Sequence, residues 1–243
     1  PGEKKILTKS GDTIEYGHLI NSTGQQALEI AQAYGQGHEL DIFPKKGLYC
    51  MSKAPFDHIY KTIVYPIPLK GAYTLGVHST MTPNGFMKIG PTTSPAFALE
   101  GYQGLENINW RDFSAILNSY RLIMLSKQRG LIWEYLTRDL PKHSIRVLIK
   151  DICRIHQMNI DDFESKFYAR PGIRAQLIDK NKRFLINDFM LRKHNIFEKS
   201  AKEWDVIHCL NISSPGWTSA FPFANKILSE MLQMDEDELL ESD

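Results

Sequence analysis

The sequence predicts an α+β fold, because strand–turn–helix units near both ends of the chain enclose a middle with a hairpin and several helices. Near the start, an apolar strand over 18–22 is followed by a turn and a helix over 25–34. Near the end, a strand over 206–211 precedes a turn and a helix over 218–231. Between them, the Pro-Asn-Gly sequence at 83–85 is a strong hairpin signal. We therefore expect an α/β-type part built from the two ends and a middle part with a mixed or antiparallel sheet and helices.

Hydrophobic spacing predicts the remaining elements in order. Alternating apolar residues indicate strands, and apolar residues three or four positions apart indicate helices. The predicted strands are 4–8, 13–16, 47–52, 60–66, 73–80, 86–90 and 183–191. The predicted helices include one that begins at Asn109 and others over 131–138, 143–156 and 161–168. Because the two ends are similar in kind, residues 1–35 and 203–243 are predicted to form one domain, which a larger domain over 36–202 interrupts.

The composition is that of an ordinary globular protein, with 42% hydrophobic and 23% charged residues. No apolar stretch approaches the length of about 18 residues that a membrane span requires, and the first twenty residues lack the apolar segment of a secretory signal. We expect a cytoplasmic protein without a membrane span, and peripheral membrane contact stays open. The three cysteines, Cys50, Cys153 and Cys209, are too few and too scattered for a disulfide framework or a zinc site.

The charge distribution favours a small anionic ligand over nucleic acid. Six of the acidic residues lie in the last ten positions, which leaves 29 basic against 22 acidic residues, a net charge of +7, for residues 1–233. No basic run exceeds two residues, and no aromatic residues are interleaved with basic ones in a nucleic-acid-binding motif. A mildly basic body suits an anionic substrate, which needs only one or two well-placed cations.

Three segments of the chain carry a family resemblance. The first is LINSTGQQALEIAQAYG at 19–35, and the second combines VYPIP at 64–68 with LGVHSTMTPNGFMKIGP at 75–91. The third pairs RPGIRAQL at 170–177 with LNISSPGWTSAF at 210–221. Together, in this order, they resemble the FAD-dependent oxidoreductases of the D-amino-acid oxidase type, most closely the L-2-hydroxyglutarate dehydrogenases and oxidases.

The chain departs from that family at two places. Such enzymes begin with a strand and a G-x-G-x-x-G turn that holds the flavin pyrophosphate at a helix N-terminus. The nearest sequence here is Gly35-Gln36-Gly37, which follows a helix and has Leu40 in the place of the third glycine. The chain therefore resembles the C-terminal two-thirds of such an enzyme, and we expect that it does not hold FAD tightly alone. A smaller departure is Leu69, where the family has an acidic residue.

The resemblance implies a function and its division between the domains. Residues 1–35 and 203–243 would be a partial FAD-binding domain, and 36–202 the substrate domain. The implied activity is flavin-dependent oxidation of a small anionic 2-hydroxy acid like L-2-hydroxyglutarate, with the chain as a fragment of such an enzyme. A separately encoded N-terminal half is one candidate partner, and whether that part is truncated, split or lost stays open. Two alternatives stay open: an FAD-dependent amino-acid or amine oxidase of the same superfamily, and a non-catalytic remnant that serves as an interaction module.

By resemblance, Arg174 is the clamp for the substrate carboxylate, because a guanidinium offers two parallel donors that match a carboxylate. Arg170 is the second choice. A surface arginine paired with Asp179 is the structural alternative.

His78 is the candidate base, since a neutral imidazole can take the substrate hydroxyl proton near neutral pH. Thr80 shares its face of the strand, and with Tyr65 it would add hydroxyl donors to the substrate pocket. The structural alternative is a histidine that only packs on the sheet. One acid must touch both the base and the clamp, so we expect His78 and Arg174 within about 10 Å of each other.

Two turns are the candidates for cofactor contact. By resemblance, the turn at Thr23-Gly24 passes the adenosine or pyrophosphate side of FAD. The turn at 214–218 offers backbone N–H groups at a helix N-terminus to the electron-rich edge of the reduced flavin. The structural alternative is an ordinary capping turn. The predicted cofactor-binding residues are Thr23, Gly24, Ser214, Pro215, Gly216 and Thr218. No residues have the spacing of a metal site.

Overall fold

The computed structural model describes residues 4–57, 61–67, 76–102, 107–108, 110–156, 158–167, 171–196 and 204–232. Its helices, together with its mixed and antiparallel sheets, confirm the predicted α+β class. The chain divides into two compact units. Unit 1 comprises Pro1–Asp41, Ala175–Asn181 and Leu185–Asp243, and unit 2 comprises Ile42–Arg174 and Lys182–Phe184. The described part of the chain contains no helix that is long and apolar enough to cross a membrane.

The elements have the following bounds. The strands are β1 (Lys5–Leu7), β2 (Thr13–Glu15), β3 (Leu19–Asn21), β4 (Leu40–Gly47), β5 (Cys50–Pro55), β6 (His78–Met81), β7 (Phe86–Gly90), β8 (Ser94–Pro95), β9 (Gly172–Asp179), β10 (Phe184–Leu185), β11 (Met190–His194) and β12 (Val206–Leu210). The helices are α1 (Ala27–Ala33), α2 (Trp110–Met124), α3 (Gly130–Glu134), α4 (Ile145–His156) and α5 (Ala220–Leu232). Short 3-10 turns cover Gly24–Gln26, Leu140–His143 and Ile160–Asp162, and a π-helical segment covers Tyr135–Asp139.

Unit 1 is built around β12, the central strand of a three-stranded sheet with the order β11-β12-β3. Because β12 runs parallel to β3 and antiparallel to β11, both of its backbone edges are paired. Helices α1 and α5 pack against this strand, and all five of its residues are buried. The parallel β3–β12 pair therefore joins the two strand–turn–helix units that the sequence predicts at the ends of the chain.

Unit 1 also takes in residues that the sequence assigns to the middle domain over 36–202. The reason is β11, whose five residues pair with β12 and so bring 190–194 into the same sheet. Residues 175–181 belong there too, and the Leu177 backbone N–H donates to the Asn211 side-chain oxygen at 2.9 Å. The compact units thus differ from the expected boundaries at 35 and 203, and the flavin and substrate assignments of the two parts stay predictions.

Unit 2 holds a three-stranded antiparallel sheet with the order β5-β7-β6, and α4 packs against one of its faces. The apolar side chains between this face and the helix form a core of Cys50, Val77, Met87, Ile89, Leu148, Ile149, Ile152, Cys153 and Phe163. One polar pair lies within it: the Ser79 hydroxyl is 2.8 Å from His156 Nε2, and both residues are buried. This hydrogen bond satisfies two polar groups that would otherwise be costly to bury.

A second sheet has the order β10-β9-β4-β8. In unit 2, Lys45 of β4 lies opposite Pro95 of β8. Helix α2 contacts β4 through Tyr120, whose ring lies 4.5 Å from that of Phe43, between centroids, and whose hydroxyl donates to the Pro44 carbonyl at 3.2 Å. Strand β4 is missing from the sequence prediction, because a proline inside an eight-residue run argues against a strand.

Two predicted elements are wrong in part. The helix expected over 161–168 is only the 3-10 turn Ile160–Asp162, after which Phe163 pairs with Ser52 in an isolated bridge and enters the core. Burial of this phenyl ring against β5 outweighs the helical spacing. The strand expected over 183–191 is broken, because the Asn211 side chain donates to the backbone carbonyls of Ile186 and Asp188 and holds a bend between β10 and β11.

The expected strands over 60–66 and 73–80 lie partly outside the described residues. Within 61–67, the structure shows a single bridge, between Val64 and Ser79. The described part of the second segment forms β6 from His78 onwards.

A buried polar pair connects β3 to β12 in unit 1. Asn21 and His208 are 3% and 0% exposed, and the Asn21 Nδ2 lies 2.8 Å from His208 Nδ1. The same amide nitrogen donates to the Ala27 carbonyl at 2.9 Å, while the amide oxygen accepts from the Thr23 hydroxyl at 2.8 Å. These bonds fix the orientation of the amide, so His208 Nδ1 must accept a hydrogen bond and cannot carry a proton. Burial, with a smaller contribution from His194, lowers the pKa of His208 to about 4.

We predict that this pair makes the stability of the chain depend on pH between 6.5 and 4. An unfolded histidine binds a proton below about pH 6.5, whereas folded His208 stays neutral down to about pH 4. Its contribution is therefore present above pH 6.5 and is lost as the pH falls to 4, by about 3 kcal/mol in the free energy of unfolding. Urea unfolding at pH 7, 5 and 4 measures this loss. His208→Gln should flatten the dependence and the exposed control His38→Gln should not; equal slopes in all three proteins would contradict the prediction.

Candidate functional site

The strand β6 presents two different faces, and the candidate site lies on the one that is turned away from α4. Ser79 points into the core, so its neighbours His78 and Thr80 point to the opposite side of the sheet. Lys88 of β7 lies directly opposite Thr80 and therefore shares that side. We call His78, Thr80 and Lys88, with the rings of Tyr49 and Tyr65, the polar face.

Two aromatic rings complete the polar face. The Tyr65 ring stacks on the His78 imidazole, with centroids 4.5 Å apart and an interplanar angle of 29°. The Lys88 ammonium lies 3.9 Å from the centroid of Tyr49, a close cation–π contact. Gly90 makes this second contact possible: its φ is +150°, and a Cβ there would lie 2.6 Å from a ring carbon of Tyr49. The face thus combines an imidazole, an ammonium group and two phenol rings.

Burial sets the charge state of these groups. It lowers the pKa of His78, the Gly76 backbone acts in the opposite direction, and the nearby Lys88 lowers the pKa again. The imidazole is therefore neutral at neutral pH. Its Nδ1 is buried, and no group among the described residues forms a hydrogen bond with it. Burial also lowers the pKa of Lys88.

Arg174 lies near the start of β9 and is exposed as a whole residue. The packing around its guanidinium nevertheless lowers its pKa through desolvation, and its charge is felt by Lys45 of β4. His78 and Arg174 both belong to unit 2. His78 contacts Tyr65, whereas Arg174 acts on Lys45. That both reach one bound acid stays a prediction. The second choice for the clamp, Arg170, lies outside the described residues.

The first candidate turn for cofactor contact lies in unit 1 and is held by the buried Asn21. Thr23 donates its hydroxyl to the Asn21 side-chain oxygen at 2.8 Å, and its N–H approaches the same oxygen at 3.4 Å. Gly24 follows with a φ of +66°, which glycine adopts without strain. A Cβ at this position would meet no atom within 4 Å, so the turn has open space on that side.

The second candidate turn is closed by its own hydrogen bonds. The N–H of Gly216 donates to the Ser213 carbonyl at 2.5 Å, so this N–H is not free for a ligand as the sequence predicts. A Cβ at Gly216 would lie 2.7 Å from the same carbonyl oxygen, so the turn itself requires a glycine at this position. Ser214 and Pro215 lie inside the turn, Thr218 lies between it and α5, and α5 begins at Ala220 rather than 218. Contact of these residues with a cofactor stays a prediction.

Three residues near the candidate site residues, Lys88, Tyr49 and Lys45, were not identified from the sequence. Lys88 could have been found, because the hairpin turn at 83–85 sets the register that places it opposite Thr80. Tyr49 lies in the predicted strand over 47–52, but nothing in the sequence indicates its contact with Lys88, and Lys45 lies on the unpredicted β4.

Comparison with known proteins gives relatives for most of the chain. No family model matches it. A protein named mitochondrial L-2-hydroxyglutarate dehydrogenase from Dictyostelium discoideum is 32% identical over 228 residues, which are 92% of this chain and 45% of that protein. Its namesake from Nematostella vectensis is 30% identical over 226 residues, 91% of this chain and 46% of that protein. The L-2-hydroxyglutarate dehydrogenase of Escherichia coli K12 is 28% identical over 228 residues, 93% of this chain and 50% of that protein.

The chain spans about half the length of the curated relatives it matches, less than the two-thirds that the sequence segments predict. Two of the three relatives above have names that include "mitochondrial", so the cytoplasmic location expected for this chain stays a prediction. Along nine-tenths of its length the chain is similar to proteins named L-2-hydroxyglutarate dehydrogenase, which confirms the resemblance of its sequence segments.

Proposed function

We propose that this chain supplies the substrate-side groups of an FAD-dependent oxidoreductase that oxidises a small 2-hydroxy acid, L-2-hydroxyglutarate being the first to test. The observation that carries the proposal is the polar face, on which a neutral His78 with an unpartnered Nδ1 lies beside an aromatic ring and near a lysine. The names of the relatives support the substrate class.

On this proposal, His78 takes the proton of the substrate hydroxyl. A general base must be unprotonated at the working pH, and burial together with Lys88 favours the neutral imidazole. The Lys88 ammonium stabilises the negative charge that develops on the substrate oxygen as its proton leaves. Thr80 and Tyr65 carry hydroxyl groups next to these two residues and would orient the acid. Arg174, whose guanidinium is partly desolvated, would bind the carboxylate.

The described residues fit FAD in chemistry. FAD, when bound, would accept the hydride from the α-carbon of the acid. A face with an ammonium group and stacked aromatic rings suits an isoalloxazine ring, which is planar and carries negative charge when reduced. In unit 1, the open space at Gly24 permits close approach of a ligand to the backbone. Thr23 and Gly24, with Ser214, Pro215, Gly216 and Thr218, are the residues we propose for cofactor contact.

The proposed function is tested by supplying the part of the enzyme that this chain does not match. Co-expression of the chain with the unmatched half of the Escherichia coli relative, followed by addition of FAD, provides a complex for assay. We expect reduction of an artificial electron acceptor with L-2-hydroxyglutarate and not with L-glutamate. Activity with the amino acid alone would favour an amine oxidase, and flavin binding without turnover of either acid would favour a non-catalytic module.

We predict different kinetic effects for the clamp and the base in that complex. Arg174→Lys keeps the charge but loses the bidentate geometry, so it should raise KM by about tenfold, whereas His78→Ala should chiefly lower kcat by about a hundredfold or more. The exposed Arg129→Lys and His38→Ala serve as matched controls and should change neither constant. Equal, small effects of the two site variants would mean that they are the wrong pair.

We also predict that Lys88 tunes His78 in the isolated chain. Lys88→Met removes a positive charge that disfavours the imidazolium, so the pKa of His78 should rise towards 6.5. An NMR titration of the imidazole ring protons measures this shift. Lys53→Met, an exposed lysine on the neighbouring β5, is the control and should leave the titration unchanged. A pKa that stays constant or falls in Lys88→Met would contradict the arrangement of the polar face.

A further inference from the structure

Strand β3 leaves one edge of the sheet in unit 1 open. The Leu19 N–H donates at 2.9 Å to the carbonyl of Asp205, the residue that precedes β12. Because the backbone groups of successive residues in a strand point in opposite directions, the N–H and C=O of Ile20 point away from β12. Among the residues that the structure describes, no strand pairs with this second edge of β3. It is therefore available for pairing with another segment.

The side chain of Ile20 lacks cover as well. Ile20 is the partner of Ile207 in the parallel pair, so the two side chains lie on the same face of the sheet. Ile207 is fully buried there, in a cluster with Ile227 and Met231 of α5. Ile20, in contrast, is 40% exposed. Helix α5 therefore covers β12 and leaves the β3 side of this face open.

Contacts of α5 with the other side of the sheet explain this gap. Phe223 packs on Phe189, next to β11, with ring centroids 5.0 Å apart. Glu230, seven positions after Phe223 and thus on the same flank of the helix, forms an ion pair with Lys193 of β11. This flank of α5 faces β11, and the adjoining side that carries Ile227 faces the sheet.

The opposite flank of α5 is apolar and exposed. Phe221 is 87% and Leu228 is 40% exposed, and the seven positions between them place both on one side of the helix. Each comes two positions before a residue that faces β11, and two positions correspond to roughly 160° round the axis of a helix. Because the sheet-facing residue Ile227 lies between the two flanks and the strand order is β11-β12-β3, the exposed flank is on the side of β3.

The open edge and the exposed flank define the structure that would fit them. A β-strand parallel to β3 would pair with the N–H and C=O of Ile20. A helix beside α5 would cover the Ile20 side chain together with Phe221 and Leu228. Parallel sheets are normally enclosed by helices, and open edges are normally covered. The surface therefore fits one further strand–helix unit.

The relatives provide a source for such a unit. The matched residues are 45%, 46% and 50% of the length of the three relatives described above. The unmatched part of each relative is thus about as long as this chain. A strand with its helix needs only about 30 residues, so the unmatched part is long enough to supply one.

We propose that the edge of β3 and the exposed flank of α5 are the docking surface for the part of these relatives that this chain does not match. A strand of that part extends the sheet at Ile20, and a helix of it packs against Phe221 and Leu228. Main-chain hydrogen bonds set the register, and the apolar side chains supply affinity. The inference rests on the proposed function, which needs the same part, and it assigns the place where that part binds.

Assembly is tested by co-expression of the 243-residue chain with a tagged form of the unmatched half of the Escherichia coli relative. We expect the chain to co-purify with the tag. Phe221→Lys and Leu228→Lys should each lower the amount of co-purified chain at least about tenfold, because an ammonium group replaces an apolar side chain that the partner buries. Trp133→Lys, at an exposed aromatic residue of unit 2, is the matched control and should leave this amount unchanged. Urea unfolding of the isolated variants should show that all three fold.

Hydrogen exchange tests the strand edge without a substitution. The Ile20 amide should exchange at least about tenfold more slowly in the complex than in the isolated chain, because it gains a hydrogen bond. The Leu19 amide, already bonded to Asp205, is the internal control and should be protected in both states. Ile20→Pro, which removes the edge N–H, should prevent assembly, whereas Ile20→Val should retain it.

The inference would be overturned by a wild-type chain that does not co-purify, by undiminished co-purification of Phe221→Lys, or by an Ile20 amide that is equally exposed to exchange in both states. A dimer of the isolated chain that Phe221→Lys dissociates would assign the surface to a second copy instead. If the complex forms as expected and oxidises no hydroxy acid, the docking surface stands and the proposed function fails. Turnover by a complex that Phe221→Lys leaves intact would retain the function and reject the surface.

Discussion

The register between β6 and β7 is the constraint on which the candidate site depends. It sets Thr80 opposite Lys88 and Ser79 opposite Ile89, so that alternate residues face the polar side and the core. Because the side-chain period of a strand is two, a slip by one residue would exchange these sides. It would bury an ammonium group against α4 and expose Ile89. The core and the polar face therefore specify the same register, and the hydrogen bond between Ser79 and His156 adds a polar contact that only this register allows.

In unit 1, the side chain of Asn21 constrains the arrangement of the neighbouring strands and of a turn. It connects the edge strand β3 to the central strand through His208, and it also holds the Thr23–Gly24 turn. A single buried amide thus links the position of a turn to the protonation of a histidine on another strand. Buried polar groups of this kind are costly when unpaired, so the pair favours one arrangement of strand, turn and helix over the alternatives.

Three cations of the chain lie in positions where they are partly removed from water. Lys88 lies against an aromatic ring on the polar face, and Lys45 lies against another beside Arg174. Desolvation lowers the pKa of each of these three groups. Cations held in this way gain more from a bound anion than solvated ones do, because their water has already been removed. On this ground we expect the chain to bind a small acid rather than nucleic acid, which binds to exposed and repeated charges.

Local features of the sequence determined the elements that depend on short-range chemistry. The hairpin at 83–85, the strand that became β12 and the helix that became α5 follow from turn residues and hydrophobic spacing within a few positions. Short segments also carried the family resemblance, which indicated His78 and Arg174 as the candidate base and carboxylate clamp.

Only the tertiary structure decided which side chains are neighbours. Strand β4 forms despite Pro44 because it pairs with β8 and because the Tyr120 hydroxyl donates to the Pro44 carbonyl. Phe163 is not helical because its ring is buried in the core. Lys88 meets Tyr49, and Lys45 meets Arg174, through pairings between distant parts of the chain. The sequence by itself therefore determined the fold class, the hairpin and the candidate residues. Burial and strand pairing, which depend on contacts between residues far apart in the chain, decided their neighbours and their charge states.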